Sequence, residues 1–219
     1  MEGLDKRRQY FSKAEVAIHN VETDCWVSAF NRVYDVTRLV AAHKGLLTKP
    51  LIQNAGKDVS HWFDSRSYEV LTHIDQKSGL RVPYTPEGRF VHVSPGAVPT
   101  TSWNSDFEKE WWKDDNYIIG RLTMKSRNVR IINTLTGQKN TIQVCLEETL
   151  GDIQNRYLPF NAHASSYSWK YLGKPLDMLK TLAENGVQDD TAEFTRLSIQ
   201  EDFYLPAIHL YFKDDLTVA

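Results

Sequence analysis

Cysteine is scarce in this 219-residue chain: there are two, Cys25 and Cys145, and no Cys-x-x-Cys pair. That excludes the usual spacing of a structural zinc site, and two isolated thiols suit a reducing compartment. Long apolar runs are also missing. No stretch approaches the roughly 18 apolar residues that span a bilayer. The charged start from Asp5 to Arg8 is followed by no apolar segment, so neither a membrane span nor a secretory signal is expected. Excess positive charge is lacking too: 26 Lys+Arg stand against 28 Asp+Glu, a net charge of −2, without the basic stripe of a nucleic-acid binder. The short clusters Lys6-Arg7-Arg8 and Lys125-Ser126-Arg127 read as solvated surface, as do Asp189-Asp190 and Asp214-Asp215. No Gly-rich phosphate loop and no Walker or Rossmann pattern occurs, and no pair of carboxylates is spaced as an acid–base dyad. The expectation is a binding protein with no catalytic residues of its own, contacting neither nucleic acid nor membrane.

What is present divides into three stretches. In the first, Ser12 and Glu15 have the spacing of a capping box, flanked by Phe11 and Val16 as a hydrophobic staple. Strands are expected at 25–30 and 33–36, with the turn at Asn31-Arg32. Thr37, Thr48 and Asp58 are candidate caps of three short helices. The second stretch, 75–115, alternates Pro83, Pro86, Pro95 and Pro99 with Gly79, Gly88 and Gly96, and holds Trp103, Trp111 and Trp112. It reads as a long insertion with a short strand at 89–93. Aromatics this large pack on their own chain or on a partner, and Phe107, Trp111 and Trp112 have helical spacing. The third stretch predicts strand, hairpin, strand, a helix from 150 to 157 capped by Thr149, and strands at 167–171 and 209–212.

The first of these patterns resembles cytochrome b5. It does so through Tyr10-Phe11-Ser12, His19-Asn20, Trp26-Val27, Val33-Tyr34-Asp35-Val36-Thr37, Ala55-Gly56-Lys57-Asp58, Phe63 and the closing Tyr117-Ile118-Ile119-Gly120-Arg121-Leu122. His43-Lys44-Gly45 stands where that family has His-Pro-Gly-Gly. The resemblance covers residues 10–122 and is interrupted by the insertion at 75–115. It implies a haem-binding domain with haem b between two axial histidines, whose neutral imidazoles fill both open positions of the iron and favour electron transfer. The first ligand carries over to His43. The second, in the family, follows the Phe by about five residues, which falls on Tyr68. His73, beyond a short insertion, is the preferred second ligand and His61 its rival. Trp62 and Phe63 are expected as pocket walls. His19, His92, His163 and His209 are expected to be structural or surface groups.

The second half resembles ubiquitin, through Val129-Arg130-Ile131-Ile132-Asn133-Thr134-Leu135-Thr136-Gly137 and through the segment from Tyr167 to Val187. That implies a β-grasp module over residues 127–214, and an α+β chain of two modules. The last residues, Leu216-Thr217-Val218-Ala219, lack the Gly-Gly used in conjugation, so the module is expected to act by non-covalent contacts. This order of modules resembles a family of proteins that pair the two. The resemblance implies a protein of motile cilia in the cytoplasm and cytoskeleton, docked on the axoneme near radial-spoke proteins and supporting normal beating. A haem-free axonemal scaffold and a soluble electron carrier are the alternatives, and a visible spectrum with added hemin separates the first of these from the haem proteins.

Overall fold

The computed structural model describes residues 10–96, 98, 106–200 and 203–213. The basic run 6–8, Trp103, Asp214-Asp215 and residues 216–219 lie outside the described residues. The chain divides into two compact units, residues 1–122 and 123–219, each with its own sheet and core.

The first unit opens with β1 (Tyr10–Phe11) and α1 (Lys13–Ile18). The Ser12 hydroxyl accepts the Glu15 N–H at 3.2 Å while the Glu15 carboxylate accepts the Ser12 N–H at 2.9 Å, so two donors that a helix start leaves free are both satisfied. Phe11 and Val16 are buried together as the staple requires. Next come β2 (Asn20–Val21), β3 (Asp24–Ala29) and β4 (Arg32–Asp35). Phe30 and Asn31, with φ of 51° and 61°, make the two-residue turn between the last two, and two left-handed central residues match the twist of the strands they join. Then follow α2 (Thr37–Ala42) and α3 (Lys49–Gln53). Thr37 does not cap α2 with its side chain. Its hydroxyl instead accepts the Cys25 N–H at 2.9 Å, tying the helix start to β3.

The insertion departs from expectation. Its strand pair is β5 (Thr72–Ile74) with β6 (Arg81–Pro83), a separate hairpin. No strand forms at 89–93, because His92 has φ 68° and the chain turns there. The turn lets Phe90, Val91 and Val93 all face the core, which alternation along a strand forbids. No helix forms at 107–112 either; Trp111 and Trp112 lie on a turn, 0% and 7% exposed. They join Trp62, Phe63, Phe90 and Tyr34 in one aromatic cluster, and the Tyr34 hydroxyl donates to the Trp112 carbonyl at 3.1 Å. β7 (Ile118–Leu122) then closes the sheet in the order β1-β7-β4-β3-β2, with β1 and β7 parallel and the other pairs antiparallel. Gly56 is fixed by this packing: its φ is +79° and a Cβ there would lie 2.9 Å from the Ala17 carbonyl oxygen, a position that only glycine fills without strain.

The second unit contains β8 (Ser126–Asn133), β9 (Lys139–Cys145), α4 (Leu150–Tyr157), β10 (Tyr167–Tyr171), β11 (Lys174–Pro175), α5 (Thr191–Arg196) and β12 (Ala207–Phe212). The sheet order is β11-β10-β12-β8-β9, with β12 and β8 parallel at its centre. Thr149 and Asp152 form the capping box of α4, whose Leu150, Ile153 and Tyr157 are buried in the core. Arg127 is not the solvated cation its cluster suggests. It is 7% exposed, and its guanidinium donates to the carbonyls of Val187, at 2.8 Å, and Gln188. Beside it Lys125 pairs with Asp189 at 2.6 Å. The basic cluster therefore holds the 187–191 loop against β8.

Candidate functional site

The site grows from the end of α2. His43 caps that helix: its backbone N–H donates to the Leu39 carbonyl, and its Nδ1 lies 3.1 Å from the same oxygen. Nδ1–H is thus the donor and Nε2 keeps its lone pair. Gly45, at φ 137° and ψ −154°, then turns the chain away in a conformation open only to glycine, which leaves the His43 ring exposed at the cavity edge. Lys44 and Leu46 stand where the family has its Pro and second Gly.

Facing His43 is His92, with ring centroids 5.7 Å apart and planes at 87°. The left-handed backbone of His92 turns its ring away from the buried Phe90, Val91 and Val93 on either side. Its Nδ1 accepts the Trp111 backbone N–H at 3.0 Å, and Phe107 stacks on its face at 4.1 Å and 17°. Burial holds the His92 pKa below its ordinary value, and the neighbouring His43 lowers it further against the opposing pull of Glu110 and Asp114. The neutral ring, with Nδ1 occupied as acceptor, carries its proton on Nε2. Both histidines line a cavity of about 470 Å³, together with Leu47, Val91, Phe107 and Tyr117. Asp106, Glu108, Lys109, Asp114 and Asn116 line it as well.

The structure does not bring His43 and His73 together. His73 sits exposed on β5, paired with Val82 and edge-on to Tyr84 at 5.6 Å, and lines none of the described cavities. His61 is exposed and bonds Glu87, 3.3 Å away. Tyr68, at the family's ligand position, packs edge-on against Phe30 at 4.6 Å. Trp62 and Phe63 are not walls of this cavity. They lie behind it, with Trp62 stacked on Phe90 at 4.6 Å, and so support the loop that presents His92. His19 is structural as expected, stacked on Trp26 and bonded to Asp24 at 2.7 Å. His92, expected to be structural or on the surface, is held by Trp111 and Phe107 and also lines the cavity beside His43. Its signal was local: a lone histidine inside the apolar run Phe90-Val91-His92-Val93, too far along the chain for the family's spacing to reach.

Two imidazoles supply only part of a metal's coordination. They suit an ion that arrives with other donors already in place, as the iron of a haem does. Leu47, Val91, Phe107 and Tyr117 suit the apolar faces of that group, whereas Asp106, Glu108, Lys109, Asp114 and Asn116 make the rest of the lining polar; His43 turns its Nδ1–H to a carbonyl, whereas His92 must give up a proton or its Trp111 contact to bind iron.

The profile of the Cytochrome b5-like Heme/Steroid binding domain matches residues 12–122, and a small-ligand cradle between α2 and the 90–93 turn is what the first unit contains. Over nearly its whole length the chain is also similar to proteins described as cytochrome b5 domain-containing protein 1. The one from Xenopus laevis is 53% identical across 96% of this chain and 97% of that one. Those from Homo sapiens and Mus musculus are each 50% identical across 96% of this chain and 92% of theirs. The chain belongs to this family of cytochrome b5 domain-containing proteins.

Proposed function

We propose that the first unit binds haem b between His43 and His92, and that the chain is a redox-sensing or redox-relaying adaptor rather than a stand-alone enzyme. The observation that carries this is that both imidazoles line one cavity, with His43 donating its Nδ1–H to the Leu39 carbonyl. A carbonyl partner of this kind orients a ligating histidine. Bound haem would supply one-electron chemistry. The Leu39 carbonyl would fix the His43 ring and Phe107 would flank the His92 ring, which would give up its Nε2 proton or its Trp111 contact on binding, while Leu47 and Val91 would supply apolar wall. With both axial positions taken by histidine, no site for substrate remains, which favours relay or sensing over oxygen chemistry.

The second unit is read as a ubiquitin-like docking module. What supports this is its strand order. Numbered within the unit, the sheet runs 2-1-5-3-4 with a parallel central pair and α4 between the second and third strands. Placement of the whole chain in the cytoplasm and cytoskeleton of motile cilia, on radial-spoke proteins of the axoneme, rests on the resemblance of its module order. Among the described residues no helix is long and apolar enough to cross a membrane.

The test is an absorption spectrum of the purified full chain supplied with hemin. The expected result is a low-spin Soret band that His43→Ala and His92→Ala each convert or abolish, while His73→Ala and His61→Ala leave it unchanged. Loss through His73→Ala with His92→Ala silent would restore the spacing-based pair. No band in the wild type would favour the haem-free scaffold.

A further inference from the structure

We propose that a second cavity of the first unit binds an aromatic carboxylate, with Arg32 holding the anionic group and Tyr68 and Phe30 covering the ring. This cavity shares no described lining residue with that of His43 and His92, and its role stands whether or not haem binds there.

The cavity measures about 290 Å³, and four of its lining residues are aromatic: Phe30, Tyr34, Tyr68 and Trp112. The backbone singles out two of them. Phe30 and Tyr68 have φ of 51° and 57°, a left-handed conformation that bulky residues seldom hold. Their rings meet edge to face at 4.6 Å. Phe30 also reaches Phe63 at 6.0 Å, so packing accounts for it in part. Tyr68 is 50% exposed, and burial offsets little of its backbone strain. Strain of this kind gathers at ligand sites, and a ring kept there suits a guest that covers it. Trp112 adds a buried indole N–H without an acceptor, although its ring borders a neighbouring cavity as well. Charge supplies the other half. Among the described residues that line the cavity, Arg32 and Lys113 are cations and none is an acid. Lys113 is paired with Glu69 at 2.5 Å and Glu110 at 3.4 Å, and the Ser67 hydroxyl donates to Asp64 at 3.0 Å. Arg32 is exposed and stands directly opposite Arg121 across β4 and β7, a placement in which like charges repel. An anion on Arg32 relieves that repulsion. A guanidinium fork matches a planar carboxylate with two parallel bonds, and the aromatic walls suit the flat ring that bears it. The volume lies at the low end for small-molecule sites, roughly 300–1,000 Å³, which limits the guest to about one bicyclic ring.

The experiment is calorimetric titration of the full chain with 2-naphthoate and with its neutral isostere 2-naphthamide. Naphthoate should bind, and naphthamide about 10–100-fold more weakly, the factor that a charge-assisted hydrogen bond supplies. Arg32→Gln should weaken naphthoate by the same factor, leave naphthamide unchanged and melt no lower than wild type, because it removes the repulsion with Arg121. Arg121→Gln, outside the lining, should retain naphthoate binding. Tyr68→Asn deletes the ring yet suits a left-handed backbone, so it should melt at or above the wild-type temperature while losing affinity for both ligands. The same chemistry occurs in a free acid and at a polypeptide C-terminus. N-acetyl-phenylalanine carries its carboxylate beside a peptide group, and tighter binding than naphthoate would assign the site to a chain terminus. No heat from naphthoate at millimolar concentration, equal affinity for the amide, or naphthoate binding unchanged by Arg32→Gln overturns the proposal. A Tyr68→Asn chain that binds like wild type, or that melts well below it, overturns the part given to that ring.

Discussion

Replacing Trp111 by alanine separates a core role from a docking role for the tryptophan-bearing insertion. The indole is fully buried and touches the rings of Tyr34, Phe63, Phe90 and Trp112, at centroid distances of 5.6 to 6.3 Å. Truncating so large a buried aromatic costs about 3–5 kcal/mol, as lost transfer energy plus the cavity left behind. With a urea slope of about 2 kcal/mol per molar, the midpoint should fall by roughly 2 M, a large part of the typical stability of about 5–15 kcal/mol. The backbone N–H that binds His92 survives the substitution, so the measured loss reports packing and not that hydrogen bond. Tryptophan fluorescence is the suitable assay, because every tryptophan except Trp169 falls within residues 1–122 and the signal follows the first unit. A loss below about 1 kcal/mol, within the range of ordinary surface changes, would refute the reasoning and return the side chain to a partner interface.

Two further outcomes concern the second unit. Arg127→Lys keeps the charge but removes the fork that serves two loop carbonyls, Val187 and Gln188; urea unfolding followed by circular dichroism should show a loss of about 1–3 kcal/mol, and a change within a few tenths would refute the clamp. Burial alone would raise the Asp189 pKa, but hydrogen bonds from Lys125 and Thr191 outweigh it and hold the carboxyl below its ordinary value of 3.8. A carboxyl lowered in this way adds stability that is present above that value and is lost as pH falls through the depressed folded value. Thermal melts between pH 6 and about 2.5 should accordingly fall less steeply for Asp189→Asn than for wild type, and parallel curves would show that the pairing contributes nothing.

The sequence disclosed what local chemistry dictates. The capping box at Ser12, the Thr149 cap, the longer strands of both sheets and the helix at 150–157 follow from side chains within a few residues of one another, and the turn expected at Asn31-Arg32 lies one residue earlier, at Phe30-Asn31. What stayed hidden depends on contacts between distant segments. Arg127 looked solvated because its partners are carbonyls at 187 and 188, which no side-chain pattern announces. The short α5 carries no buried residue and so shows no apolar stripe to find. The stretch at 89–93 alternates like a strand, yet the left-handed φ of His92 breaks it. In the site, His43 was legible because its loop keeps the family's place in the chain. The proposed counterpart, His92, was not, because it stands some thirty positions past Phe63, beyond the reach of the family's spacing.

That displacement has a physical consequence for how the site is built. Where the second histidine directly follows Phe63, a short local segment can hold it. Here the histidine stands on a turn at the far side of a hairpin, and its position depends on buried aromatics contributed from 62–63, 90 and 111–112. Trp62 under Phe90 and Trp111 beside it convert a long connection, which loop entropy alone would leave loose, into a fixed platform under His92. The closing strand β7 follows directly after the 3₁₀ turn at Asp115–Tyr117, so the same segment that anchors the aromatics also completes the sheet. On the proposed reading, packing of the insertion and assembly of the site are one event: a substitution that loosens the aromatic cluster should also loosen His92, whereas His43, fixed by its own helix end, stays in place.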